Sequence, residues 1–370
     1  MDIVRRPREW RPSPRLDGLP GYGRGRAGQS VTFRHRLGSN EAPTAPDILP
    51  GFNWQDTEIN RYPDLRGDTL CDALSRRHDV GADMVAVAAG SIVLLDQLVR
   101  ATCDPGDEIV TPWRSYEAYP IISGLAGARL VEVPLDPTGT ADPDAIMAAA
   151  GANCRVVLIC NPNNPTGTHL PDEVIDGLLR RLPDHVLVIL DEAYADYAMD
   201  AAEAIASPAR RLARHPNLAV LRTFSKAWGI AGMRVGYCLA NAPVISAVQA
   251  VAPPFPLPTV AIGAALAALD RPERTAARVD RNAAERERLS AGLRRLGLPV
   301  AVSKANFVWL PVGSRAEALT AHFASASIAV RCFAGEGVRI TTGTSADTDA
   351  VLVAASDWCD CQPGPDAFTG

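Results

Sequence analysis

The chain carries no excess of positive charge. Its 37 lysines and arginines are outnumbered by 42 aspartates and glutamates, for a formal net charge of -5 and a pI near 5.7. That balance gives no electrostatic reason to bind nucleic acid or an anionic membrane. No stretch approaches the roughly 20 apolar residues that span a bilayer, because charges or prolines interrupt every hydrophobic block. The arginine-rich start, residues 5–26, is not followed by the apolar run of a secretory signal. It reads as a solvated N-terminal arm, and a cytoplasmic location is expected. The eight cysteines (71, 103, 154, 160, 238, 332, 359 and 361) are scattered, several inside apolar runs, as free buried thiols are. Cys359 and Cys361 have no His or Cys partner at zinc-ligand spacing nearby, so no metal is expected. Internal repeats and extended low-complexity tracts are missing as well.

What is there is apolar and long. With 370 residues, 47% hydrophobic and 21% charged, the chain can bury a large core and is expected to form two domains. From about residue 45 to 250, helical segments alternate with short, continuous apolar runs of the kind buried on both faces of a parallel sheet. Strands are predicted at 84–88, 108–110, 129–133, 156–160, 186–190 and 219–222. A helix is predicted at 91–102 with Ser91 as its N-cap. After the break at residues 253–258, one long charged helix is predicted as far as about 296, ended by Gly297. Strands at 307–311 and 338–342 with a helix at 315–325 follow. The fold class is thus α/β, a large domain with a mainly parallel central sheet plus a smaller α+β domain. The divisions expected are an arm over 1–44, a large domain over 45–262 and a small domain over 263–370.

Three segments sit where the loops of such a sheet gather, just past the carboxyl ends of strands. Lys226 follows the strand at 219–222, flanked by Thr223 and Ser225, with Arg234 eight residues on. A lone lysine is ordinarily a solvated surface residue. An amine that forms an imine needs partial desolvation to lower its pKa, and a neighbouring cation helps. Asp191, Glu192, Ala193 and Tyr194 end the strand at 186–190, where an aspartate alone could equally cap a helix. The loop Asn161, Pro162, Asn163, Asn164, Pro165, Thr166, Gly167 ends the strand at 156–160. By itself it is a turn signal.

Together these segments resemble the fold-type I, class I/II pyridoxal-phosphate aminotransferases. Ser39 to Pro43, Arg61 to Asp64, Trp113 to Pro120 and Asn306 to Pro311 are most similar to the branch holding histidinol-phosphate and aromatic-amino-acid enzymes. The resemblance covers about residues 20–355. It implies pyridoxal 5'-phosphate as cofactor, held by Lys226 as an imine, with the same lysine later moving the proton of the substrate. Asp191 would face the ring nitrogen, Asn164 and Tyr194 the phenolic oxygen, and Tyr116 the ring plane. Thr223, Ser225, Arg234 and the amides of Ser91 and Ile92 would hold the phosphate. Tyr62 would arrive from a second subunit of a homodimer. Arg339 would grip the substrate's α-carboxylate, with Asn164, Arg331 and Tyr22 as further substrate contacts.

The implied reaction moves the amino group of an L-amino acid to 2-oxoglutarate. Histidinol phosphate as donor, or a decarboxylase or other lyase on the same scaffold, are the alternatives. Two departures bear on the donor. The loop Pro254, Phe255, Pro256, Leu257, Pro258 is stiffer and more apolar than the branch pattern, and Ala42 stands where histidinol-phosphate enzymes commonly have Asn. An aromatic or other apolar side chain is expected accordingly.

Overall fold

The computed structural model describes residues 32–44 and 58–360, with 13, 16 and 18–21 before them. Tyr22, Cys361 and most of the arginine-rich arm lie outside the described residues.

The elements run β1 (His35–Arg36), α1 (Asp68–His78), β2 (Val85–Ala88), α2 (Ser91–Thr102), β3 (Glu108–Trp113), α3 (Tyr119–Ala126) and β4 (Arg129–Pro134). Next come α4 (Pro143–Ala149), β5 (Cys154–Cys160), α5 (Asp172–Arg181), β6 (Leu187–Asp191), α6 (Ala201–Leu212), β7 (Leu218–Thr223) and β8 (Gly236–Ala240). The chain continues through α7 (Ala242–Val251), α8 (Thr259–Leu269), α9 (Pro272–Arg295) and β9 (Phe307–Leu310). It closes with α10 (Ala316–Ser325), β10 (Ile328–Ala329), β11 (Arg331–Phe333), β12 (Gly337–Thr341) and α11 (Ser345–Asp360).

Seven strands form one sheet in the order β2-β8-β7-β6-β5-β3-β4. Every pairing is parallel except those of β8, which runs antiparallel to both β2 and β7. The inner strands are apolar on both faces, and alternate residues enter different cores. Val157 and Ile159 of β5 pack with Leu70 and Leu74 of α1 and Leu178 of α5. Val156 and Leu158 pack with Leu95 and Leu98 of α2, Ile122 of α3 and Val248 of α7. This is a sheet layered by helices on both sides, which the continuous hydrophobic runs required. Because β8 returns antiparallel to β7, with Thr223 opposite Gly236, the connecting loop leaves and re-enters the same end of the sheet. Ser225, Lys226 and Arg234 are thereby brought together.

A second sheet, β11-β12-β9, is antiparallel and backed by α9, α10 and α11, around Leu293, Phe323, Val338 and Val351. β1 pairs with β10, which ties the segment leading to Ser39 and Asn40 to this smaller body.

Several expectations need correction. Gly90, at φ +92, takes the N-cap of α2, and Ser91 is its first helical residue. The single long helix after residue 258 is two, because Arg271 turns out of the helix and Pro272 starts a new one. The strands β1, β8, β10 and β11 were not foreseen: β1, β10 and β11 have two or three residues each, and β8 follows directly on the Lys226 loop. The division expected at residue 262 falls inside α8, whose Ala261, Ile262, Ala265 and Ala268 pack into the large-sheet core. Among the described residues no helix is long and apolar enough to cross a membrane.

Candidate active site

A cavity of about 510 Å³ opens beyond the carboxyl ends of β5, β6 and β7 and the N-terminus of α2. Ser91, Ile92, Tyr116, Asn164, Asp191 and Tyr194 line it. Thr223, Ser225, Lys226 and Arg234 line it from the β7–β8 loop, and Arg331 and Arg339 from the second sheet. Tyr62 does not: it is 82% exposed and stacks on Phe255 with centroids 4.6 Å apart. Tyr22 lies outside the described residues.

Lys226 is held in the cleft by two backbone carbonyls, with Nζ donating to Ser39 O at 3.2 Å and Asn40 O at 3.1 Å. Its amine lies 5.6 Å from the centroid of the Tyr194 ring. Burial, followed by the positive charges of Arg339 and Arg234, lowers its pKa from 10.5 to about 7. Near neutral pH a large fraction of the amine is therefore unprotonated, the form that can attack a carbonyl.

Asp191 is 6% exposed, and burial raises its pKa to about 6 against hydrogen bonds that pull it down. Those bonds come from Tyr119, whose hydroxyl donates to Oδ2 at 3.0 Å, and from Ala193 N to Oδ1 at 3.2 Å. Behind it, Glu192 accepts from Arg222 Nε at 2.8 Å and Nη2 at 2.5 Å, a buried pair that clamps β6 to β7.

The opposite end of the cleft is built for an anion. Thr223 Oγ1 donates to Ser225 Oγ at 3.0 Å, and Arg234 Nη1 lies 3.4 Å from Ser225 Oγ. Ser91 and Ile92 present the first turn of α2, where amides lack intrahelical acceptors and the helix dipole is positive. Close approach makes two glycines necessary: a Cβ at Gly90 would meet Arg234 Nη2 at 2.5 Å, and one at Gly236 would meet Ser91 N at 2.1 Å.

Arg339 is buried and donates to Asn164 Oδ1 at 2.5 Å and Gly38 O at 2.7 Å. Its guanidinium stands over the Phe307 and Phe333 rings at 5.4 and 5.9 Å. Three residues of the site carried no assigned role from sequence. Asn40 donates from Nδ2 to Tyr194 Oη at 2.9 Å, accepts at Oδ1 from Thr341 Oγ1 at 3.0 Å, and offers its own carbonyl to Lys226. Tyr119 supports Asp191, and Glu117 lines the cavity paired with Arg331. Their partners lie far away in sequence, so only their positions inside motif-like runs marked them.

The site combines anion donors, an amine of lowered pKa, a buried carboxylate and an aromatic wall at Tyr116. This donor set fits pyridoxal 5'-phosphate, a flat aromatic aldehyde with a phosphate arm and a basic ring nitrogen. Comparison with known proteins agrees. The family "Aminotransferase class I and II" matches residues 36–355. The chain is 43% identical over 347 residues to an aromatic amino acid aminotransferase of Corynebacterium jeikeium, covering 92% of this chain and 91% of that protein. To one of Streptomyces coelicolor it is 41% identical over 348 residues, covering 93% and 96%. Among solved structures it is similar to histidinol-phosphate aminotransferase from Sinorhizobium meliloti in complex with pyridoxal-5'-phosphate. The TM-score is 0.83 and the identity 28%, covering 89% of this chain and 92% of that one. With its fold, its cavity and these matches in agreement, the chain belongs to the class I and II aminotransferases and is a pyridoxal-phosphate-dependent enzyme.

Proposed function

We propose that the enzyme takes the amino group of an L-amino acid with an aromatic side chain and passes it to 2-oxoglutarate, with Lys226 as the residue that carries the cofactor and moves the proton. The observation that carries this reading is the meeting of the Lys226 amine and the Asp191 carboxylate in one cavity with the anion donors Thr223, Ser225 and Arg234. When bound, pyridoxal 5'-phosphate supplies an aldehyde that condenses with amines and a ring that draws electrons from the substrate's α-carbon. Lys226 Nζ, unprotonated in part near neutral pH, would serve as the base that accepts and gives back the substrate's proton. Asp191 would face the ring nitrogen as a carboxylate and keep that nitrogen protonated. Tyr194 and the amide nitrogen of Asn164 would donate to the phenolic oxygen, Tyr116 would stack on the ring, and the first amides of α2 would hold the phosphate. Arg339 would receive the substrate carboxylate in a two-pronged contact, with Asn164 and Arg331 near the rest of the substrate and Tyr22, outside the described residues, as the further contact the resemblance implies.

The aromatic donor is supported by the names of the relatives at 43% and 41% identity. The likeness to the S. meliloti structure supports histidinol phosphate as the second reading. We further propose a cytoplasmic homodimer in which Tyr62 of each subunit completes the phosphate site of the other. Purified enzyme supplied with 2-oxoglutarate and, separately, phenylalanine, tyrosine or histidinol phosphate tests this. Glutamate and an aromatic 2-oxo acid in equal amounts are expected from the first two donors. Turnover of histidinol phosphate alone overturns the aromatic reading, and release of carbon dioxide without a 2-oxo acid overturns transamination.

A further inference from the structure

Arg331 and Arg339 stand directly opposite each other on the antiparallel strands β11 and β12, so their side chains leave the same face of the sheet. Both line the cavity, and both are cations, yet their surroundings differ. Arg339 bonds to neutral oxygens of Asn164 and Gly38. Arg331 is engaged by a carboxylate: its Nη2 lies 2.8 Å from each oxygen of Glu117, and Nε lies 3.2 Å from Oε2. Glu117 reaches it from the segment between β3 and α3, beside Tyr116. Next to this pair, Arg114 of the same segment bonds to Glu336 in the β11–β12 hairpin. Arg331 and Glu117 keep side-chain exposures of 26% and 29%, so each is mostly but not fully desolvated.

We propose that Glu117 is a specificity-determining residue: by engaging Arg331 it neutralises the one end of the pocket that would attract a second anion, and so favours substrates with uncharged side chains. This rests on the reading that the cavity binds an amino acid with its carboxylate on Arg339. An aromatic side chain packed over Arg331 strips water from a guanidinium that Glu117 already compensates, so the desolvation cost is smaller than for an unpaired cation. With Glu117 in place, the ring meets a neutral pair. A substrate carrying a distal carboxylate must instead displace Glu117 and then sit beside its charge. Such a substrate, 2-oxoglutarate included, is admitted at reduced affinity.

Glutarate and 3-phenylpropionate share one carboxylate for Arg339 and differ only at the far end. Calorimetric binding of both to holoenzyme is compared for wild type, Glu117→Gln, Arg331→Gln and the double variant. In Glu117→Gln the preference is expected to shift towards glutarate by about tenfold. In the Arg331→Gln background the same replacement is expected to shift it by less than about twofold. Arg331→Gln alone is expected to weaken glutarate relative to 3-phenylpropionate, which tests the idea even if Glu117→Gln does not fold. A preference that stays within about twofold of wild type in either single variant overturns the proposal, as does an equal shift with Arg331 absent. Failure of the aromatic reading looks different: wild type then converts no aromatic amino acid, while the glutarate shift in Glu117→Gln is still measured.

Discussion

Lys226 is a buried amine whose charged form the fold disfavours, and that has a measurable sign. Its pKa falls from 10.5 to about 7 on folding, so between these values the unfolded chain binds the proton and the folded one does not. Stability of the cofactor-free protein therefore rises with pH across that window. Lys226→Met, which has no charge to desolvate, is expected to be more stable than wild type at pH 7, with the difference vanishing as pH approaches 10.5; denaturant midpoints of the two proteins at several pH values check this. Asp191 offers a second test. Its pKa of about 6 already includes the lowering by the Tyr119 hydroxyl, so Tyr119→Phe lets the carboxylate protonate at higher pH. The acid limb of kcat/KM is expected to move upward, a shift that a merely looser core would not produce. The residues legible in the sequence were those whose company is local, such as Ser225, Lys226 and Arg234 in one loop. Tyr119, 72 residues from Asp191, and Asn40, 154 residues from Tyr194, make their contacts only once the sheet is assembled.

At the scale of elements, the site depends on how closely β8 and α2 approach and on how firmly β6 and β7 are joined. Gly236→Ala would drive a methyl group into the backbone of Ser91. The expected result is a loss of about 1–3 kcal/mol in stability together with weakened cofactor retention, read by denaturation and by dialysis of the holoenzyme. Glu192 does not line the cavity, yet it compensates the charge of buried Arg222. Glu192→Gln is expected to cost about 3–5 kcal/mol of stability in the cofactor-free protein. The inner strands were readable because burial on both faces demands unbroken apolar runs, as in β5, β6 and β7. β8 escaped notice because it opens on Gly236 directly after the Lys226 loop, and β11 because it has only three residues and begins with Arg331. The break between α8 and α9 was written in Pro272, a residue at home in the first turn of a helix and foreign to its middle.

At the scale of the whole molecule, an apolar patch remains on the surface. Ile59, Tyr62, Leu65 and Phe255 are 80, 82, 54 and 37% exposed, and Phe255 N bonds to Leu65 O at 2.9 Å. The proline-rich stretch that departs from the branch pattern thus forms part of this patch. We propose that a second copy covers it, with an arm, a large domain and a small domain whose boundary falls after α8 rather than at residue 262. Ile59→Asp combined with Phe255→Asp is expected to yield a monomer by size-exclusion chromatography with light scattering, with activity per subunit reduced at least about tenfold because Tyr62 no longer reaches the partner's site. The central claim is more local. The sequence contains only two lysines, Lys226 in the cleft and Lys304 exposed outside it, so the cofactor's attachment has a simple readout. Borohydride reduction of active holoenzyme followed by peptide mapping is predicted to find the reduced cofactor on Lys226, with Lys304 unmodified. A fully active preparation whose Lys226 peptide emerges unmodified would contradict the account.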